Sequence, residues 1–218
     1  VAVSIKNEEL LLLPQKAIFF PKERVLLVSD VHLGKGTHFR KSAIAVPTML
    51  VQEDLAQLSD LIEKFQPVQL IFLGDLFHSE LNNDWQWFKW WRELHGHVKM
   101  VLIKGNHDII DVGLYQELDI CVVDEMLFGP FLLMHDLPKK PQADYVLCGH
   151  IHPSVRLRAK GRQSLNLPCY FFSDNYGIMP AFGRFTGTAR IKAKDIEFVY
   201  AIAGKKVVEV NVSLRDIG

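Results

Sequence analysis

Short β-branched and aliphatic blocks recur along the chain: Val25 to Ser29, Val68 to Leu73, Val98 to Ile103, Ile120 to Val123, Phe131 to Met134 and Tyr145 to Cys148. Several are apolar at every position rather than at alternate ones, which predicts strands covered on both faces. Between the early blocks the repeat changes. From Pro47 to Phe65, apolar residues stand at Leu50, Val51, Leu55, Leu58, Leu61, Ile62 and Phe65, a spacing of about 3.6 residues that predicts a helix. Asp84 to Leu94 is the second predicted helix. Strand alternating with helix implies an α/β layered architecture. After Pro153 the blocks become shorter and more polar, punctuated by Gly161, Gly177, Gly183, Gly187 and Gly204. The closing stretch, about 194–213, reads as a hairpin turning at Ala203 to Lys205,. With no linker, repeat or low-complexity tract, the expectation is one domain over 1–218.

Composition narrows the function classes. Of 218 residues, 49% are hydrophobic and 23% charged, enough apolar material for a sizeable core,. Lysine plus arginine number 25 and aspartate plus glutamate 25, a formal charge of 25 − 25 = 0. Bulk electrostatic capture of a polyanion is excluded, so any such ligand must be held by local charge or bound metal. The cysteines Cys121, Cys148 and Cys169 are odd in number and widely spaced, which fits a reducing compartment and no disulfide framework,. The opening VAVSIKNEELLLLPQ makes a poor signal peptide,. No apolar stretch reaches the roughly 18 residues of a membrane span, and the expectation is a cytoplasmic protein without membrane partners,.

The candidate chemistry lies just after the predicted strands. Asp30 and His32 follow the first; Gly74 and Asp75 follow LIFL; Gly105, Asn106, His107 and Asp108 follow VLIK; His135 follows FLLM; Gly149, His150, Ile151 and His152 follow YVLC. Open α/β sheets gather their sites at such C-terminal strand ends. A lone aspartate there is usually a turn or helix cap, and a lone buried histidine usually a satisfied core residue. By average residue usage, however, a chance GNHD appears in roughly one sequence in a thousand of this length. Five strand ends delivering metal-ligand types make a converging cluster.

The blocks DVHLGK, GDLFH, GNHD, MHD and GHIH resemble the calcineurin-like metallophosphoesterase superfamily over about residues 24–190. The resemblance implies a four-layer αββα sandwich with a dinuclear metal centre at one edge. Carried over position by position, it implies one metal on Asp30, His32 and His152, the other on Asn106, His135 and His150, and Asp75 bridging them. Met134 stands where relatives often have glycine, but the ligand His135 is kept. Oxygen and imidazole donors without thiolate suit two divalent ions, manganese first, with iron or zinc as alternatives. Such ions would lower the pKa of a bridging water and hold phosphate for in-line attack. His107 would serve as general acid toward the leaving oxygen, with Asp108 orienting it,.

Substrate must be argued from the rim. His78, in GDLFH, matches a histidine that helps place the nucleic-acid backbone in the nuclease branch. Lys35, His38, Arg40 and Lys41 fall on the loop leaving the first strand, and Arg156, Arg158, Lys160 and Arg162 recur every second residue after His152. In a strand these four would share one face and could track a phosphate backbone, Lys35, Arg40, Arg156 and Arg158 being the candidate substrate contacts. All four tryptophans lie in WQWFKWW; Trp87, Trp90, Trp91 and Leu94 share one helical face and Trp85 and Phe88 another. They read as core packing or a subunit contact, which makes a homodimer one expectation. The segments DVHLGKGTHFRKSAIAVP, GHIHPSVRL and MPAFGRFTG further resemble the ligase-associated DNA damage response endonuclease family. That implies metal-dependent hydrolysis of nucleic-acid phosphodiesters, on single-stranded or damaged DNA, beside DNA ligase or a helicase. AFGRFTG, Ala181 to Gly187, reads as a close-packed structural closure,. The rival readings are a phosphomonoesterase or small-molecule or cyclic-nucleotide phosphodiesterase, and a non-catalytic scaffold; a scaffold is expected to have lost ligands that this chain keeps.

Overall fold

The computed structural model describes residues 1–34, 50–78, 81, 83–139, 143–158, 164–184, 186–191 and 198–210. Lys35, His38, Arg40, Lys41, Lys160 and Arg162 lie outside these residues.

The apolar blocks form two sheets. The first has seven strands in sequence order: β1 (Ala2–Ile5), β2 (Glu8–Leu13), β3 (Ala17–Phe20), β4 (Val25–Val28), β5 (Gln69–Leu73), β6 (Lys99–Ile103) and β7 (Ile120–Val123). β1 to β4 are an antiparallel meander, and β4 to β7 run parallel. The register pairs Val28 with Phe72 and Phe72 with Leu102, so the chain leaves β4, β5 and β6 at one level. Each parallel crossover contains a helix: α1 (Leu50–Phe65), α2 (Asn83–Leu94) and α3 (Val112–Gln116).

The second sheet has nine strands: β8 (Met126–Phe128), β9 (Phe131–Leu133), β10 (Val146–Cys148), β11 (Pro153–Arg158), β12 (Ser164–Phe172), β13 (Tyr176–Ile178), β14 (Ala189–Arg190), β15 (Phe198–Ala203) and β16 (Lys206–Val210). Their order is β14-β11-β12-β13-β10-β9-β8, with β15 paired to β12 and β16 to β15. The predicted C-terminal hairpin is β15–β16.

Two-faced burial explains the unbroken apolar runs. Leu27, Ile71, Leu73, Val101 and Ile103 point at Phe131, Leu133, Tyr145, Leu147, Tyr170 and Phe172 of the second sheet. The alternating Leu26, Val28, Leu70, Phe72, Met100 and Leu102 point the other way, into α1 and α2. Each such fully buried side chain contributes about 1.5–3 kcal/mol by leaving water. The α/β sandwich with two facing sheets is the expected fold class. Among the described residues all three helices pack on the first sheet, and the far face of the second carries its own buried cluster, including Val146, Cys148, Cys169 and Phe171. No described helix is long and apolar enough to cross a membrane.

Two local features go beyond the sequence-based expectations. The leucine run of residues 10–13 belongs to β2, in a meander that the Tyr170 hydroxyl ties to the second sheet by donating to Leu13 O (2.7 Å) or Ala17 O (2.8 Å). On α2 the buried stripe is Asp84, Phe88, Trp91 and Arg92, while Trp87, Trp90 and Leu94 are 42%, 48% and 77% exposed. Arg92 sets this rotation: its guanidinium is buried on the carbonyls of His95, Leu118 and Asp119. Core packing therefore accounts for Trp91 and the partly buried Trp85, not for Trp87 and Trp90.

Candidate metal centre

The loops leaving β4, β5, β6, β9 and β10 meet at one edge of the sandwich and bring seven donor side chains together. Asp30 Oδ1 lies 3.1 Å from His152 Nε2 and 3.9 Å from His32 Nε2. Beside this triad, Asp75, His135 and His150 form a second group; within each group the ligand atoms lie within 4.8 Å of one another. Asp75 Oδ2 connects the two, 3.7 Å from His32 Nε2 and 3.5 Å from His135 Nε2. Asn106 Oδ1 is 2.9 Å from His135 Nε2, and His150 Nδ1 3.2 Å from the same nitrogen. All seven residues named from the sequence as ligands lie in this cluster, Asn106 through its contact with His135.

The surroundings aim these donors inward. Asp30 Oδ2 accepts from the Ser29 hydroxyl and from His150 N (3.0 Å), whereas the buried Asp30 Oδ1 has no hydrogen-bond donor. A buried carboxylate oxygen left in this way is costly unless a cation completes it. His152 Nδ1 is 2.9 Å from Gly187 O and His135 Nδ1 3.0 Å from Leu73 O. Both carbonyls leave the opposite ring nitrogen facing the cluster, the usual way an imidazole ligand is oriented. The hard and borderline donor set and the orphaned oxygen fit divalent cations: Asp30, His32 and His152 would hold one, Asn106, His135 and His150 the other, with Asp75 shared.

Without cations the cluster is held by its own charges. Burial opposes ionisation of Asp75, but the hydrogen bond and charge of His135, the N–H of His107 and the charge of His32 outweigh it and bring the carboxyl to about 2. Burial likewise opposes charging of His135, yet Asp75 and the Leu73 carbonyl lift that imidazole to about 9.

His107 and His78 stand beside the first triad. Their rings stack at 4.9 Å and 27°, and lie 5.5 and 5.3 Å from the His32 ring. His107 N also donates to Asp75 Oδ1 at 2.9 Å. Asp108, expected to orient His107, does something else. Its Oδ2 accepts from Asp75 N (2.7 Å) and Gly105 N (2.9 Å), and its Oδ1 from Leu76 N (2.9 Å) and Phe77 N (3.2 Å). With all four contacts spent on amides, it fastens the loop after β5 to the loop after β6. Burial pushes its pKa up to about 6 against the pull of those amides.

Of the basic row, only Arg156 is described with its side chain. Arg158, the last residue of β11, pairs with Ser164 of β12. Arg156 is exposed and donates to Ser164 Oγ at 2.7 Å; no described contact joins it to the ligand cluster. The side chain of Arg158 lies outside the description, as do Lys35 and Arg40. Ser29, Leu73 O and Gly187 O are contributors that sequence reasoning missed. Only Ser29, adjacent to a ligand, carries any local signal.

Two facing sheets whose strand ends gather oxygen and imidazole donors make a site suited to divalent cations,. Residues 23–131 match the family model described as calcineurin-like phosphoesterase, and the chain belongs to that family. Among solved structures it is similar to the Pseudomonas putida nuclease MPE, at 34% identity and a TM-score of 0.82, over 96% of this chain and 99% of that one. It also matches Yfce, a phosphoesterase from E. coli, at 15% identity and a TM-score of 0.43, over 87% of this chain and 99% of the other. No curated protein matches.

Proposed function

We propose that the protein is a two-metal phosphodiesterase that cuts nucleic acid, loaded with manganese and acting in DNA repair. The observation that carries the two-metal reading is Asp75 Oδ2, poised between His32 Nε2 and His135 Nε2. The nucleic-acid reading is supported by the similarity to a nuclease along nearly the whole chain. When bound, the cations activate coordinated water near neutrality and offset phosphate charge. The chain does the rest. Asp30 and Asp75 supply two negative charges against the four of two divalent ions, leaving about +2 to meet a phosphodiester. The neutral Asn106 preserves that surplus, which a carboxylate in its place would reduce. His107, beside the first triad, gives a proton or a hydrogen bond to the leaving oxygen from its ring. His78, stacked on His107, restricts how that ring turns.

The test compares a bis-aryl phosphate, an aryl monophosphate, cyclic nucleotides and single-stranded DNA, each with manganese. Hydrolysis of the diester and the DNA, abolished by Asp75→Asn and reduced by roughly 10²–10⁴-fold in His107→Ala, is the expected result. Preference for the monoester, or turnover that survives Asp75→Asn, would overturn the proposal. Pull-down of a DNA ligase or helicase from the native host by the intact chain tests the repair context; recovery of neither would remove it.

A further inference from the structure

The Ala181–Gly187 segment does more than close a turn. Phe182 N donates to Ser29 O at 2.7 Å and Gly183 N to Asp30 O at 3.1 Å. Gly183 approaches so closely that a Cβ there would lie 2.3 Å from Val31 O. At the other end, Gly187 O lies 2.9 Å from His152 Nδ1, within hydrogen-bond reach. Thr186 Oγ1 donates to Gly183 O at 2.9 Å and joins the two ends. One segment thus fixes two ligands of one triad, Asp30 through its backbone and His152 through its ring. In the second group Asp75 is held by Asp108 and His107 N and His135 by Leu73 O, and only the backbone of His150 leans on Asp30.

Two cations fasten the segment to the body of the protein. Lys16 Nζ reaches Phe182 O (3.5 Å) and Gly183 O (3.4 Å). Arg184 Nη1 binds Glu53 Oε2 of α1 at 2.6 Å, with Nε 3.8 Å from Asp54 Oδ1. The Arg184 and Glu53 side chains are 47% and 44% exposed, so their pairing adds little to global stability,. It leaves them well placed to act on position alone.

We infer that Arg184, through Glu53, is a positioning residue for the cation of Asp30, His32 and His152, and for that cation alone. The inference rests on the two-cation reading above. It is tested by titrating manganese into the full chain by calorimetry, in His150→Ala, which keeps the first triad, and in His152→Ala, which keeps the second group. Adding Arg184→Ala to His150→Ala weakens the remaining ion about tenfold, as loss of an outer-shell contact does, and changes it less than about twofold in His152→Ala. Glu53→Gln reproduces the selective loss, adds nothing on top of Arg184→Ala, and Arg184→Lys restores part of it. Melting temperatures stay near that of the parent, which a merely structural loss would not allow. Equal weakening in both backgrounds, or none in His150→Ala, overturns the inference. Asp30→Asn in the His150→Ala background separates the two readings. If the ion persists there, the assignment of the triad is wrong; if it is lost while Arg184→Ala changes nothing, only the role of Arg184 is wrong.

Discussion

Gly74→Ala probes the site with one methyl group. A Cβ on Gly74 would lie 2.1 Å from His135 Nδ1, 2.5 Å from Cγ and 2.8 Å from Cβ. Ordinary contact begins at 3.4 Å, so the ring must retreat by about 3.4 − 2.1 = 1.3 Å. Metal–ligand distances tolerate only about 0.2 Å, so a retreat of this size removes His135 from any coordination sphere. The backbone resists as well: φ is +76°, where a residue bearing a Cβ costs about 1–2 kcal/mol,. Gly204→Ala is the matched control, with φ at +60° and nothing within 4 Å of its Cβ. The strain is then comparable and the clash is absent. Calorimetric titration with manganese should find two ions in wild type and in Gly204→Ala, and one in Gly74→Ala. Hydrolysis should fall at least about a hundredfold in Gly74→Ala, since disturbing even an outer-shell partner costs up to that much, and remain unchanged in Gly204→Ala. Gly74→Ala binding two ions with wild-type affinity would refute the placement of His135 as a ligand.

Other measurements bear on other parts of the molecule. Asp108→Asn replaces one of two carboxylate oxygens, each accepting a pair of amides, with an NH₂ group that accepts none. It should cost about 2–3 kcal/mol and lower the melting temperature by about 5–10 °C; an unchanged melting curve would contradict its role as a loop fastener. His135 holds its proton to about 9, so cation binding at pH 7 should release close to one proton and progressively fewer as pH rises through 9; calorimetry in buffers of different ionisation enthalpy counts them. In the cation-free protein the raised His135 adds stability that is complete below its ordinary 6.5 and lost as pH rises through about 9, whereas the depressed Asp75 adds stability present above 3.8 and lost as pH falls through about 2,. The chelated protein should accordingly melt at a lower temperature at pH 9 than at pH 6. Phe88→Ala, in the core, should cost about 3–5 kcal/mol, and Trp87→Ala, on the exposed flank of α2, less than about 0.5 kcal/mol.

The donor cluster was legible because its chemistry is local: each donor follows an apolar run within a few residues, and a run of strand length shows where it ends. Helix α1 was legible from spacing alone. The N-terminal meander was not, because the four leucines of β2 carry no alternation, although Lys6 and Asn7, both at positive φ, form the tight turn between β1 and β2. The face that α2 buries was also out of reach. It depends on Arg92 finding carbonyls at Leu118 and Asp119, more than twenty positions away. The same holds for Asp108, whose amides at 75–77 lie on a different strand exit. Residue type announces a donor, but a structural carboxylate and a catalytic partner look alike until their neighbours across the fold are known.

That distinction has a backbone counterpart. Asp30, His32, Asp75, His150 and His152, five of the seven proposed ligands, have φ between 51° and 63°. Asparagine, aspartate and histidine enter this region more readily than other residues, but even at about 1 kcal/mol each the five together rival the low end of a domain's net stability. Such strain persists only where the surroundings over-determine it. Here they do. Asp30 N is held by Gly74 O, His32 N by Asp75 O, Leu33 N by Leu76 O and Gly149 N by His135 O, so four of the five ligand loops are joined in pairs, backbone to backbone. In Asp30–His32 and again in His150–His152 the left-handed residues are two apart, with Val31 or Ile151 between them. That spacing turns both donors to the cluster while the chain continues along the sheet edge. The loops are therefore organised by one another before any ion arrives, and cation binding completes a site already shaped. The strongest consequence concerns the amides rather than the donors. A change that breaks one inter-loop bond, such as an ester in place of the Asp30 or His32 amide, should weaken metal binding even though every ligand side chain remains.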